Sequence, residues 1–212
     1  MGGSFDVLRR RYFDGPLGRY GFRPYRATML ARLVDDWVLQ LVVLRPNKWG
    51  DEFGVVCAVR PLFAGPNETL VLQPGAGLGD FLEAAGEPRN DWWARKEPDV
   101  RDASQRLHEH ALPWLDANRD ASGILAARER RPEAWWNEAG LAPTLGHVLL
   151  RARRGSEALR VFGSAPTRIP QYAELRNLVQ RRAWERIDAL QWRYVALSVR
   201  NLGLQPLARA AA

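Results

Sequence analysis

The spacing of apolar residues changes near Pro98. Before it they come in short runs bounded by turn residues, Ala27 to Val34, Trp37 to Leu44 and Phe53 to Val59, each the length of a strand. Asp35-Asp36 reads as a tight turn between the first two runs, and Pro46-Asn47-Lys48-Trp49-Gly50-Asp51 as a wider one before the third. Leu41-Val42-Val43-Leu44 and Val55-Val56-Cys57-Ala58-Val59 lack clean alternation, as strands covered on both faces do, so helices are expected to pack on them. Trp37, Leu39, Leu41, Val43, Val55, Cys57 and Val59 are the expected buried positions. Ahead of the runs, Ser4 is an N-cap for a short helix carrying Phe5, Val7, Leu8 and Tyr12 and ending near Asp14-Gly15-Pro16. Thr69 to Leu72 reads as one further strand and Asp91-Trp92-Trp93-Ala94 as an edge strand.

After Pro98 the pattern is helical. The segments are Asp99 to Leu112, stopped near Pro113; Asp120 to Arg131, stopped by Pro132; and Glu133 to Ala139, ended by Gly140. Thr144 to Arg153 and Ser156 to Phe162 form a helical hairpin about Gly155, and one long helix runs from Pro170 to about Asn201. The fold class is therefore α+β: an antiparallel meander of four to five strands, packed by an N-terminal helix and followed by a helical C-terminal half. The expected division is a domain over residues 1–130 and a helical extension over 131–212 packed on it. In the hairpin, Ala152, Gly155 and Ala158 stand where a tetratricopeptide-type repeat makes its close contact. One such unit is present and a solenoid needs about three, so an ordinary hairpin is expected.

Charge narrows the partners without choosing one. The net charge is +7, and every basic residue is arginine except Lys48 and Lys96. Positive charge gathers at the two ends, +5 over residues 1–34 and +7 over 101–212, while residues 35–100 carry −5. Such a surface attracts nucleic acid, acidic lipid or acidic protein. The apolar run Trp37 to Leu44 is broken by Gln40 and is far short of the roughly 20 residues of a membrane-spanning helix. No membrane insertion is expected. The opening MGGSFDVLRRRYFDG has charge where a signal peptide is apolar, and the lone Cys57 fits a reducing cytoplasm, the expected location.

Candidate chemistry falls away residue by residue. His108 and His110, two apart on a helix, diverge and cannot share a metal, and His147 lies in an apolar segment, where a hydrogen-bonded, partly buried histidine is expected. No metal or cofactor is expected. Gly75-Ala76-Gly77-Leu78-Gly79 has the glycines of a phosphate loop but no following Lys-Ser/Thr, and reads as a flexible turn. Asp35-Asp36 and Asp51-Glu52 sit at turns, where carboxylates cap and solvate.

Aromatic and arginine residues carry more information. There are nine tryptophans, including the doublets Trp92-Trp93 and Trp135-Trp136, and neighbours in either a strand or a helix face different ways. One ring of each doublet is expected in the core and one at the surface, where tryptophan and arginine are enriched at contact sites. Trp49, Trp92 and Trp93 are the aromatic binding candidates. Within the long C-terminal helix Arg182, Arg186, Arg193 and Arg200 fall within about 40° of one another at 100° per residue. They lie beside a packing stripe of Tyr172, Val179, Ile187, Leu190, Tyr194 and Leu197, and form a candidate row for an anionic partner.

Leu17-Gly18 with Gly21-Phe22-Arg23, Trp37 with Gln40, Asn47-Lys48-Trp49, Phe53-Gly54-Val55 and Leu112-Pro113-Trp114-Leu115 resemble the bacterial domain of unknown function 4304 family over roughly residues 3–130. Where that family carries an Asn-containing strand, this chain has Phe53-Gly54-Val55-Val56-Cys57-Ala58-Val59. The resemblance implies an α+β fold and supplies no catalytic residue. The resulting expectation is a non-catalytic, protein-binding module in the manner of immunity or adaptor domains. Nucleic-acid binding through the Arg-rich half and an enzyme with an acidic site between strand loops are the alternatives.

Overall fold

A computed structural model describes residues 5–65, 70, 72, 74–130, 138–164 and 172–211. Its strands are β1 (Arg23–Arg26), β2 (Met29–Val34), β3 (Val38–Pro46), β4 (Glu52–Pro61), β5 (Gly75–Gly77) and β6 (Trp92–Trp93). They form one antiparallel sheet in the order β1-β2-β3-β4-β5, with β6 also paired to β4. The meander is thus present with a strand more than expected, because Arg23-Pro24-Tyr25-Arg26 lacks an apolar run. As an edge strand beside β2, β1 needs none: Pro24 and two arginines leave its outer side unattractive for further pairing. Val38 to Leu44 are buried without interruption, which accounts for the missing alternation in β3. Leu39, Leu41, Val43, Val55, Cys57 and Val59 are buried as expected, while Trp37 is half-buried.

The helices are α1 (Phe5–Arg9), α2 (Gly15–Gly18), α3 (Leu78–Ala84), α4 (Glu97–Arg106), α5 (Leu112–Ala117), α6 (Ala121–Arg130), α7 (Glu138–Arg151), α8 (Gly155–Ser164), α9 (Tyr172–Gln180), α10 (Trp184–Asn201) and α11 (Gln205–Ala211). Three expected stops are overridden: Gly140 lies inside α7, which runs on through Pro143 to Arg151, and two prolines are passed as well. The N-terminal helix passes Pro16 and the helix after Pro98 passes Pro113, each through a π-helical turn, Arg10–Asp14 and Leu107–Ala111. In both, the residue before the proline donates five residues back: Gly15 N–H to Arg10 O and Leu112 N–H to Leu107 O. The wider turn makes room for the proline ring, which an α-helical interior cannot accept. Val7, expected on the packed side of α1, is 58% exposed.

The expected long C-terminal helix is two helices. Arg182 N–H donates to Val179 O (3.0 Å) and Ala183 N–H to Leu178 O (2.9 Å), the paired bonds that end a helix on a left-handed residue, here Arg182 at φ +52°. The same pair of bonds ends helices at Gly21, Gly86, Arg153 and Gly203. Gly75–Gly77, expected as a flexible turn, is strand β5, paired to β4 at Val56, Cys57 and Ala58. Of the expected Thr69–Leu72 strand, Leu70 and Leu72 are described and belong to no strand, while Thr69 and Val71, the short Glu133–Ala139 helix up to residue 137, and the Trp135-Trp136 doublet lie outside the described residues.

Where a single cut near residue 130 is expected, the chain groups into two compact units. One is Met1–Arg32, Gln40–Val59 and Gly75–Ala117; the other is Leu33–Leu39, Arg60–Pro74 and Asn118–Ala212. In the first, Phe5 and Phe13 lie over Phe53, with ring centres 4.9 and 6.1 Å away, and Trp92 lies 6.2 Å from Phe53. Ser104 Oγ of α4 donates to Tyr12 O. A buried arginine, Arg32, organises the polar groups of this core. Its Nε donates to Gln40 Oε1 (2.8 Å), its Nη1 to Tyr20 O (2.8 Å) and its Nη2 to Asp116, and its guanidinium lies 4.5 Å from the Phe22 ring centre. Gln40 Nε2 in turn donates to Leu115 O.

In the second unit α7 is the central helix: residues 144 to 150 are all buried. Gly146 is the close point of the α7–α8 hairpin, because a Cβ there would lie 2.1 Å from Phe162 Cε1. The 3-10 turn Leu62–Ala64 is buried against α7 and α10, and Ser198 Oγ of α10 donates to Leu62 O (3.3 Å) and Gly65 O (3.2 Å). Among the described residues no helix is long and apolar enough to cross a membrane.

Candidate binding site

Two of the three aromatic candidates come together at one end of the sheet in the first unit. The β3–β4 connection is a locked turn: Asn47 N–H donates to Glu52 O (2.9 Å), and Asn47 Oδ1 accepts from the N–H of Trp49 (3.1 Å) and Asp51 (3.2 Å). Gly50, at φ +73°, takes the left-handed position. Trp49 therefore projects from a fixed backbone with 71% of its surface exposed. Trp93 pairs with Glu52, the first residue after that turn, and Ala94 N–H donates to Asp51 O (2.8 Å). Its ring is 45% exposed.

Each exposed ring carries a lysine. Lys48 Nζ stands 4.4 Å from the Trp49 ring centre and Lys96 Nζ 4.5 Å from that of Trp93, both in cation–π range. These are the only two lysines of the chain. Charges in the two contributing segments cancel, Arg45 and Lys48 against Asp51 and Glu52, and Arg95 and Lys96 against Asp91 and Glu97. The end of the sheet is thus aromatic and rigid, and its two segments carry no net formal charge, with Glu97 also engaged by Arg11 (2.9 Å).

Trp92 does not join them. Period-two alternation turns it inward, where it is fully buried, its Nε1 donates to Asp102 (2.8 Å) and Arg89 lies 5.3 Å from its ring centre. Asp102, beside Arg89 and Arg106, is held below the usual carboxylate range despite the opposing effect of burial, the largest single influence on it. The doublet is one core and one surface ring, as its spacing implies.

The arginine row is altered by the helix break. Arg182 sits in the break, while Arg186, Arg193 and Arg200 share one side of α10 and are all exposed. Ile187 and Tyr194 of the expected stripe are buried, but Leu190 and Leu197 are only half-buried, and Gln191, Val195 and Ser198 complete the buried side of α10. The arginines consequently face solvent and do not border the core.

The acidic alternative has its own geometry in the second unit. Asp36 and Trp37 are left-handed at φ +55° and +58°, and Val38 N–H donates to Asp35 O, so β2 and β3 are joined by a turn whose two central positions normally favour glycine or asparagine. Arg151 holds Asp36 (2.6 Å), and Trp37 packs edge-on to Trp192 at 5.8 Å. The sequence marks the tight turn at Asp35-Asp36 but not its strain, since Trp37 is not a residue type that favours a left-handed position. A cavity of about 390 Å³ opens beside it, lined by Leu33 to Trp37, Arg119 and Ala208. Arg119, hydrogen-bonded to Asp35 at 2.9 Å, holds that carboxyl below its ordinary range, so it stays ionised at neutral pH and has no proton to give. Among the described residues no group of His, Cys, Asp and Glu could hold a metal.

His147 is buried between the rings of Phe162 and Tyr194, at 5.3 and 5.4 Å, deeper than the partly buried position expected, and among the described residues its Nδ1 has no hydrogen-bond partner. Burial pushes its pKa down to about 4. The chain matches no known protein family, no curated protein and no solved structure.

Proposed function

We propose that the chain is a non-catalytic cytoplasmic binding module whose contact is the Trp49–Trp93 end of the sheet and whose partner is a protein. One observation carries this reading: two exposed tryptophans, each stacked by a lysine, stand on hydrogen-bonded backbone in a region of balanced charge. Rigid exposed aromatics are the usual anchors of protein contacts. A phosphate backbone requires uncompensated cations, which this end lacks. The basic balance of the whole chain disfavours neutralisation of a basic nuclease, since like charges oppose docking. Membership of the domain of unknown function 4304 family belongs to the same proposal. In its support, residues of three of the resembling motifs, Phe22, Gln40 and Leu115, meet around Arg32.

The test is capture from a nuclease-treated bacterial extract with the wild-type chain and with Trp49→Ala/Trp93→Ala. A protein retained by the first and lost by the second, while far-ultraviolet circular dichroism and thermal stability are unchanged, supports the reading. If the two capture the same proteins, the site is wrong. If capture vanishes on nuclease treatment, the partner is nucleic acid.

A further inference from the structure

We propose that the solvent face of α10 is a docking strip for an acidic amphipathic helix of a partner protein. The strip belongs to the second unit and does not rest on the Trp49–Trp93 site. Arg186, Arg193 and Arg200 recur every seven residues, so they lie in a nearly straight line about 21 Å long at 1.5 Å per residue. At 100° per residue the line points about 140° away from the mean direction of the buried side chains. Among the described residues none of the three has an ion-pair partner, although arginines elsewhere in the unit do. Of the carboxylates of α10, Asp188 is taken by Arg153 (2.8 Å) and approached by Arg151 (3.7 Å), leaving Glu185 in the first turn. Positive charge on this face is therefore uncompensated along most of its length.

The neighbours of the line decide the kind of anion. On one flank Ala189 and Ala196 are exposed and small, so another backbone can come close. On the other Leu190 and Leu197 are half-buried, again seven residues apart. Cations and apolar side chains repeating together at about 10.5 Å match carboxylates and apolar side chains repeating at the same interval on a second helix laid alongside. A nucleic-acid backbone would satisfy the arginines and leave the leucine flank against phosphate and water. Charge and apolar pattern together fit an acidic amphipathic helix.

The experiment uses the full chain and two probes: a synthetic four-heptad helical peptide with leucine on one seam and glutamate beside it, and a short duplex DNA. The peptide should bind the wild type at low salt. Replacing Arg186, Arg193 and Arg200 together by Gln, which preserves helix propensity, should weaken it by roughly tenfold or more. Leu197→Asp should weaken it as well, and Trp49→Ala/Trp93→Ala should leave it unchanged. The proposal is overturned if the peptide does not bind, or if it binds the triple Gln variant as it binds the wild type. It is also overturned if duplex DNA binds in preference to the peptide and loses affinity only in the triple Gln variant. Unchanged far-ultraviolet circular dichroism of each variant confirms that a loss is not unfolding.

Discussion

Replacing Arg32 by Met tests whether the buried polar network organises the first unit. The substitution keeps an unbranched stem over the Phe22 ring and removes the guanidinium. What is lost is a charged donor to Gln40 Oε1 and another to Tyr20 O, both at 2.8 Å, and the ion pair to Asp116. Hydrogen bonds to a charged group contribute about 1.5–3 kcal/mol each. The Asp116 side is half-exposed and adds little after solvent screening. Apolar contact by the Met stem offsets part of the loss, so a net cost of roughly 3–5 kcal/mol is expected, the range for removing one member of a buried polar pair. Gln40→Leu removes the acceptor of Arg32 Nε and the donor to Leu115 O and should cost about 2–3 kcal/mol. The double variant should fall short of the sum by at least about 1 kcal/mol, because each change removes what the other needs. Urea unfolding followed by circular dichroism and by tryptophan fluorescence gives all four corners of the cycle. If Arg32→Met costs less than about 1 kcal/mol, or the two changes simply add, the network is incidental to the fold.

Cys57 is fully buried and burial alone pushes its thiol up to about 12, so a thiol reagent at neutral pH should label it only as fast as the protein opens; rapid labelling of the native chain would contradict this. His147 binds its proton in the unfolded chain near pH 6.5 and in the folded one only near 4, so its effect is nil above pH 6.5 and the fold loses roughly 3 kcal/mol as pH falls to 4. Denaturation midpoints between pH 7.5 and 4.5 should fall accordingly, with a shallower fall in His147→Leu; equal slopes would refute the assignment. Arg182 holds a left-handed position that glycine takes without strain, so Arg182→Gly should be neutral or stabilise by up to about 1 kcal/mol, and a thermal melt showing clear destabilisation would count against the helix end described.

The strand region was legible because its apolar runs are long enough to stand out and are separated by the acidic Asp35-Asp36 turn and by the polar turn Pro46 to Asp51. Strand β1 was not, since an edge strand can be all polar. Helix ends were read unevenly: the end near Asn201 was found, the stop assigned to Gly140 is overrun by α7, and the break at Arg182 was missed, where helix-ending hydrogen bonds are made around a residue with no preference for a left-handed position. That miss displaced the packing stripe: across the break the 100° count no longer holds, and Gln191 and Ser198 took the buried places assigned to Leu190 and Leu197. Two of the three aromatic candidates were found by strand alternation and turn composition. Their shared location came from the β4–β6 pairing, which is long-range and leaves no local signal.

The two π-helical turns amount to single-residue insertions that the fold has absorbed. Each adds a residue without adding a full turn, so everything downstream is set back by about 100° around the axis. In the segment from α4 to α5 that setback is what aims Leu115 O at Gln40 and Asp116 at Arg32. Chain length between Leu107 and Ala111 thus acts as an angular adjustment, with Pro113 holding the setting. Losing one residue there would swing the carboxylate of Asp116 more than a quarter turn away from the buried guanidinium while leaving every side chain of the network intact.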